Sequence, residues 1–457
     1  VTMYEDRTRL AKLWEAELEL FRSLHPRSGR LWQEARAHLP GGVPMLWMSK
    51  WPGDWPVYVE EAQGAHFRCA DGIDHVDLCL GDTGAMVGHA PAASVAAIAE
   101  RLAKGSTFML PTEDAAVAAS LLAERFGLPE WQFTLSATDA NRHVLRYARQ
   151  ATGRRKVLVI DYCYHGTVDE AYATLDDDGR VVSRRRNIGP PVPLDETTVV
   201  VAFDDIAGLE AALETGEVAA VLAEPAMTNI GIVLPQPGWH EAVRAACDRT
   251  GTILVIDETH TLCAGPGGMT ARDGLRPDVV VVGKTIGGGI PAAAWGMTSE
   301  LARRVRESLD WAGEGREDLD VGGVGGTLAG NAVSMAGIRA TLSEVLTPEV
   351  YPGMIDRATE WTAGVQAAID EFGAPWQVTQ IGCRAEYSFR PTPPANGREA
   401  AEADDFELQQ YLHLHALNRG ILITPFHNMA LMSPATTSED VARHTEAFRE
   451  AVASLYA

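Results

Sequence analysis

Apolar positions along the chain follow two different periods. Residues 4–38 place apolar side chains at helical spacing among charges, with a break near Pro26, and read as one or two amphipathic helices. Further on, AHFRCADGIDHVDLCLG alternates and turns at Asp71-Gly72, as a hairpin does. Helices are expected over 92–104 and about 113–126. From 132 to 296 the pattern changes. Short unbroken apolar runs rich in β-branched residues (KVLVI, TTVVVAF, EVAAVLA, TILVI, DVVVV) alternate with longer segments such as WHEAVRAACDRTG. A run apolar at every position is a strand buried on both faces, and strands alternating with helices build a mostly parallel sheet. Gln132–Leu135 is the first of these strands, followed by a turn at 136–138 and a helix from Asp139. The segment 171–197 shows little periodicity and is expected to be surface loop. A long helix from about 329 leads to helices at 353–371, 403–419 and 436–455, with strands near 382–390 and 421–432. The expected fold class is α/β. A large domain over 81–328 holds the sheet, and 1–80 and 329–457 form a smaller α+β domain.

Charge and composition narrow the partners. The 457 residues include 39 basic and 62 acidic ones, a formal net charge of -23, which argues against nucleic acid. No run approaches the roughly 20 apolar residues of a membrane span. The opening VTMYEDRTRLAKLWEAELELF is too charged for a signal peptide, so a soluble cytoplasmic protein is expected. The six cysteines form no C-x-x-C pair and no metal-ligand spacing, and no metal is expected. No G-x-G-x-x-G opens a helix after the first strand, and GGVGG lacks the Lys-Ser/Thr of a phosphate-binding loop.

Chemistry gathers at the strand ends. Glu224, Asp257 and Lys284 each close an apolar run, at the sheet edge where open α/β folds bind ligands. An amine flanked by glycines after a buried strand suggests a Schiff-base lysine, because partial desolvation favours the neutral amine; a solvated lysine at a strand end is the plainer alternative. Ser136, Ala137 and Thr138 open a helix, where they are either phosphate donors or an ordinary cap. Tyr164 and His165 follow another strand, and Thr327 sits among glycines. One ligand uses all of these groups, pyridoxal phosphate. Its aldehyde needs an amine, its pyridine nitrogen a carboxylate, its phosphate a nest of donors and its ring an aromatic face. Separately, VPMLWMSKWPGDWPVYVEEAQG carries Met45, Trp47, Trp51 and Trp55, which either pack against a neighbour or wall a pocket.

The motifs LSATDA, YHG, AEP, IDE, VVGKTIGGGIP, GGTLAGN and SPATTSEDV, in this order, resemble the class III (ω) aminotransferases of pyridoxal-phosphate fold type I. The branch with glutamate-1-semialdehyde aminomutase and the β-amino-acid aminotransferases is the most similar. The resemblance implies an aspartate-aminotransferase-like fold and an obligate homodimer with the active site at the subunit interface. It implies that Lys284 carries the cofactor and moves the substrate proton, and that Asp257 pairs with the pyridine nitrogen. Ser136, Ala137 and Thr138 would hold the phosphate with Thr327 of the neighbouring subunit. Tyr164 would stack on the ring and Thr259 lie against its other face. Glu224 would support Asp257's surroundings or the substrate side, and His165 would stand behind the cofactor contacts. Ala137 replaces the usual glycine and requires a negative φ there. The arginines that clamp a carboxylate in β-amino-acid relatives are missing. There is none between Gly41 and Glu60, and Phe426 and His427 stand in the second region, with Arg384, Arg390 and Lys50 as substitutes. An apolar, aromatic substrate site of Met45, Trp47, Trp51, Phe426 and His427 is expected. It would suit a transaminase that passes the amino group of an amine or an aryl or apolar amino acid to pyruvate or 2-oxoglutarate. An aminomutase is the alternative and a racemase or epimerase a weaker one.

Overall fold

The structure is a computed structural model that describes residues 4–184, 187–188, 192–308 and 322–456. The polar stretch WAGEGREDLD lies outside the described residues. Two compact units emerge. One comprises 1–91, 349–393 and 399–457, the other 92–348 and 394–398. The divisions fall at 91 and 348, where the sequence suggested 80 and 328. The helix Ala332–Ala340 packs on Ala92–Ala103 and Glu113–Phe126, which ties it to the larger unit.

The larger unit is built on a seven-stranded sheet. Its strands in chain order are β1 (Glu130–Thr134), β2 (Lys156–Ile160), β3 (Thr198–Val201), β4 (Val218–Ala223), β5 (Ile253–Asp257), β6 (Val279–Val282) and β7 (Ala293–Met297). The spatial order is β1-β7-β6-β5-β4-β2-β3. β3, β2, β4, β5 and β6 run parallel. β7 is antiparallel to both its neighbours, because the glycine-rich segment 283–292 is too short for a crossover helix. β4, β5 and β6 are buried at every position, as their unbroken apolar runs require. Their carboxyl ends deliver Glu224, Asp257 and Lys284 to one edge.

Two expectations about this unit change. The helix begins at Ala137 rather than Asp139, with Ser136 as its cap. The segment 171–197 is not all loop, since Ala173–Leu175 pairs antiparallel with Val181–Ser183. Strands of three residues are too short to show a period. They have a purpose, because Asp161 at the end of β2 accepts hydrogen bonds from Thr174 Oγ1 (2.6 Å) and Leu175 N (3.3 Å).

The smaller unit begins with helices Arg7–Leu24 and Pro26–Ala35, split at Pro26 as expected. It holds a four-stranded sheet (Val59–Gln63, His66–Cys69, Asp74–Asp77, Ile421–Leu422) and a three-stranded one (Gln377–Ile381, Arg384–Ser388, Met429–Leu431). Helices Tyr351–Phe372, Phe406–Asn418 and Ser438–Tyr456 complete it. Dispersed in sequence, His25, Cys69 and Asp71 bring ligand atoms within 4.8 Å of one another, a grouping that linear spacing did not reveal. Asp71 is engaged in capping Pro26–Ala35, accepting from Arg27 N at 2.6 Å and Ser28 Oγ at 2.5 Å. All six cysteines are free and buried. Among the described residues no helix is long and apolar enough to cross a membrane.

Candidate active site

Asp257 ends β5, 4% exposed, within a ring of donors. Its Oδ2 accepts from Asn141 Nδ2 (2.9 Å) and His165 Nδ1 (3.0 Å), and its Oδ1 from Thr259 N (3.1 Å). Burial pushes the carboxyl pKa up. The His165 bond and charge and the bonds from Thr259 and Asn141 outweigh burial and hold it at about 2. His165 is fully enclosed. Burial opposes its charge, but Cys163 and the Asp257 carboxylate prevail and raise its pKa well above the ordinary imidazole range. The result is a buried, permanently anionic carboxylate facing a cation.

Lys284 lies two residues beyond β6, half-buried, at φ 53°, a left-handed backbone that costs a side-chain-bearing residue about 1 kcal/mol. Its Nζ is 2.6 Å from His260 Nε2. His260 Nδ1 is 2.7 Å from Thr228 Oγ1, and Thr228 Oγ1 donates to Glu224 Oε1. Glu224, Thr228 and His260 are all buried. Glu224 therefore belongs to the Lys284 side, 3.7 Å from His260 Nδ1, and not among the hydrogen-bond partners found for Asp257.

The turn before Ala137–Thr152 faces the same edge. Ser136 Oγ accepts from Asp139 N (3.2 Å) and donates to Asp139 Oδ2 (3.0 Å), so the ordinary cap is present. The N–H groups of Ala137 and Thr138 still have no carbonyl within the helix to bond, as an anion-binding terminus requires. Ala137 has a negative φ, satisfying the condition set by its side chain. Its methyl is accommodated because residue 283 is glycine: a Cβ there would stand 3.1 Å from Ala137 Cβ. The loop Tyr162–Gly166 closes over Thr138, whose Oγ1 accepts from Thr167 N at 3.0 Å. Half-buried Tyr164 lies on this loop. Thr327 lies in the turn Gly325–Ala329, which with Thr134, Leu135, Asp139 and His143 lines a cleft of about 300 Å³.

Comparison with known proteins places the chain in a family. The family described as Aminotransferase class-III matches residues 47–452. A curated glutamate-1-semialdehyde 2,1-aminomutase of Sorangium cellulosum is 32% identical, covering 94% of this chain and 97% of its own. A solved glutamate-1-semialdehyde-aminomutase of Pseudomonas aeruginosa PAO1 superposes with a TM-score of 0.96 and 47% identity, covering 98% and 99% of the two chains. A further structure of that protein is a complex with PMP. The chain belongs to the class-III aminotransferases. An ω-transaminase of Sphaerobacter thermophilus is also similar, with TM-score 0.85, 29% identity and coverage of 94% and 98%.

Membership carries fold type I and a pyridoxal-phosphate cofactor with it. The groups present fit that cofactor. Asp257 is a buried anion, Lys284 an amine just beyond an adjoining strand, and the Ser136 turn offers N–H groups that suit a phosphate. The buried Thr259 Oγ1 has no hydrogen-bond partner among the described residues, leaving a polar atom beside Asp257 for a ligand. This class-III aminotransferase also contains site residues that the sequence did not single out: Asn141, Thr228 and His260. Asn141 lies one helical turn beyond Thr138, and His260 three residues beyond Asp257. Position next to a recognised residue was the only signal for either.

The expected substrate residues lie in the smaller unit. Trp47 and Phe426 pack with ring centroids 4.8 Å apart, and Phe426 packs on His427 at 5.1 Å. Met45 Sδ accepts from Trp47 N, while Trp51 is half-buried. His427 Nδ1 is 3.3 Å from Glu386. Arg384 is fully buried with Glu386 3.9 Å away, and Arg390 pairs with Glu399 at 3.0 Å.

Proposed function

We propose that the protein moves an amino group within a single substrate molecule, in the manner of a glutamate-1-semialdehyde 2,1-aminomutase. The observation that carries this reading is the 47% identity, over 98% of the chain, to the Pseudomonas aeruginosa protein of that name, joined by the Sorangium relative. When bound, pyridoxal phosphate supplies an electron sink that stabilises negative charge on the substrate carbon. Lys284 anchors the aldehyde, and its Nζ takes a proton from substrate carbon and returns it at the other position. Asp257, anionic at every working pH, holds the proton on the pyridine nitrogen, and His165 and Asn141 hold Asp257. Ser136, Ala137 and Thr138 would hold the phosphate, with Thr327 of a second copy in a homodimer. Tyr164 and Thr259 would lie against the ring.

A second reading is intermolecular transamination, from an amine or an aryl or apolar amino acid to pyruvate or 2-oxoglutarate. The Trp47–Phe426 contact and the lack of arginine between Gly41 and Glu60 favour it, since a carboxylate-rich substrate wants a guanidinium. Incubation of the loaded enzyme with glutamate-1-semialdehyde, without any keto acid, separates the two. An aminomutase yields the isomeric amino ketone. No isomer, together with alanine or glutamate formed from added pyruvate or 2-oxoglutarate, overturns the first reading. Loss of optical rotation without a new carbonyl product would indicate racemisation.

A further inference from the structure

We infer that His260 is the proton acceptor of Lys284, held in the required tautomer by Thr228 and Glu224. This deepens the proposed function and rests on its assignment of Lys284. Thr228 Oγ1 has one proton, which it donates to Glu224 Oε1. At 2.7 Å from His260, the same oxygen accepts from Nδ1–H. The imidazole then carries its proton on Nδ1 and turns a lone pair on Nε2 towards Lys284 Nζ, 2.6 Å away. An amine must be neutral to bond a carbonyl carbon or to take a proton from carbon. The step is a single transfer: an Nζ–H bond breaks, its electron pair stays on Nζ, and an Nε2–H bond forms. Positive charge moves from lysine to imidazole, while Nδ1–H keeps its bond to Thr228 and Glu224 supplies the compensating negative charge. The reverse transfer recharges Lys284 when a proton has to be delivered.

Charged and titratable groups face the imidazole from several elements. Lys284 comes from the turn after β6 and Glu224 from the end of β4, 3.7 Å from Nδ1. On its own segment, Asp257 is engaged by Asn141 and His165, and Glu258 by Thr261, Met269 N and Thr270 N. A proton leaving Nζ has His260 Nε2 within hydrogen-bond reach, 2.6 Å away.

The test uses cofactor-free protein, so it does not depend on turnover. Lys284 is acylated with acetic anhydride over a pH series and quantified by peptide mass spectrometry, in wild type, His260→Gln and Thr228→Val. Two coupled sites give a stepped profile. Below the imidazole midpoint, wild-type Lys284 is expected to react at least about tenfold faster than the high-pH line extrapolates, because a proton on His260 displaces one from Nζ. His260→Gln is expected to follow a single line, and Thr228→Val to reduce the step. Nitrogen NMR of histidine-labelled protein, with His260 identified from the His260→Gln spectrum, should report the Nδ1–H form. Superimposable wild-type and His260→Gln profiles, or an Nε2–H tautomer, overturn the inference. Adding pyridoxal phosphate to Lys284→Ala tests the underlying reading separately. If its visible Schiff-base absorption persists without Lys284, the assignment of Lys284 falls whatever the acylation profile shows.

Discussion

Gly166→Ala should damage the turn proposed to hold phosphate without touching an ionisable group. Gly166 has φ 73°, so an alanine there pays about 1 kcal/mol for the left-handed backbone. Its Cβ would overlap Thr138 Oγ1 and stand 2.9 Å from Thr138 Cβ and 3.0 Å from Thr138 Cα. Rotating the hydroxyl away does not help, because the last of these approaches is to the backbone of Thr138 itself. The first turn of Ala137–Thr152 has to move, and overpacking of this kind costs roughly 1–3 kcal/mol. Together these give about 2–4 kcal/mol. For a unit of this size that is a fall of about 5–15 °C in the melting temperature of cofactor-free protein. The displaced N–H groups should weaken pyridoxal phosphate at least about tenfold, by absorbance titration, and leave pyridoxal without phosphate little affected. The double variant with Thr138→Ala should lose less than the sum, since one clash is shared. A melting temperature within about 2 °C of wild type, with unchanged phosphate preference, would refute the packing argument.

Other expectations follow from charge and contact. Glu17 accepts from His415 Nδ1 (2.8 Å), Asn418 Nδ2 (2.7 Å) and Arg419 Nη1 (3.1 Å), which overcome burial and hold it at about 2, against an ordinary 4.5. A depressed carboxyl stabilises above its unfolded pKa and loses that contribution as pH falls towards 2. Glu17→Gln should therefore cost on the order of 3 kcal/mol at neutral pH. Urea melts should show the difference shrinking below pH about 4.5, with cofactor affinity unchanged. His165→Phe leaves Asp257 buried with only Asn141 and Thr259 N, and should cost about 3–5 kcal/mol. That loss should narrow in acid, where the variant's Asp257, no longer held down by His165, takes up a proton, and an equal loss at pH 7 and pH 4 would remove the charge pair from the account. Trp47→Ala removes a ring contact worth roughly 0.5–1.5 kcal/mol and should raise substrate KM while leaving the cofactor's absorbance unchanged. An unaltered KM would take Trp47 out of the substrate site.

The strands that carry Asp257 and Lys284 were legible because a buried parallel strand has no polar face. TILVI and DVVVV could be little else, and the polar residue ending each run had to sit at the sheet edge. Periodicity gave Glu113–Phe126 and Lys156–Ile160 their observed bounds. It could not give the hairpin at 173–183, which is too short to repeat, or the reversal of β7, which follows from a connection length. Nor could it sort Glu224 between Asp257's surroundings and the substrate side, or show that it lies towards Lys284. Three strand ends meet at that edge, and which neighbours touch depends on Thr228 and His260 lying between them. His25, Cys69 and Asp71 came together for the same reason, through tertiary proximity that spacing does not encode.

One short segment links both halves of the site. Asp257 faces Asn141 and His165, while His260, three residues on, faces Lys284 and Thr228. Between them Glu258 is fully buried and turned elsewhere, accepting from Thr261 Oγ1 (2.5 Å), Met269 N (3.1 Å) and Thr270 N (2.5 Å). Burial raises its pKa, so it is a costly anchor unless its oxygens are bonded, and these donors reach both of them. That anchor fixes where the chain leaves β5. With the exit fixed, the carboxylate of Asp257 and the imidazole of His260 cannot shift independently. The anionic pole and the proton acceptor of the amine are therefore set by a single backbone turn.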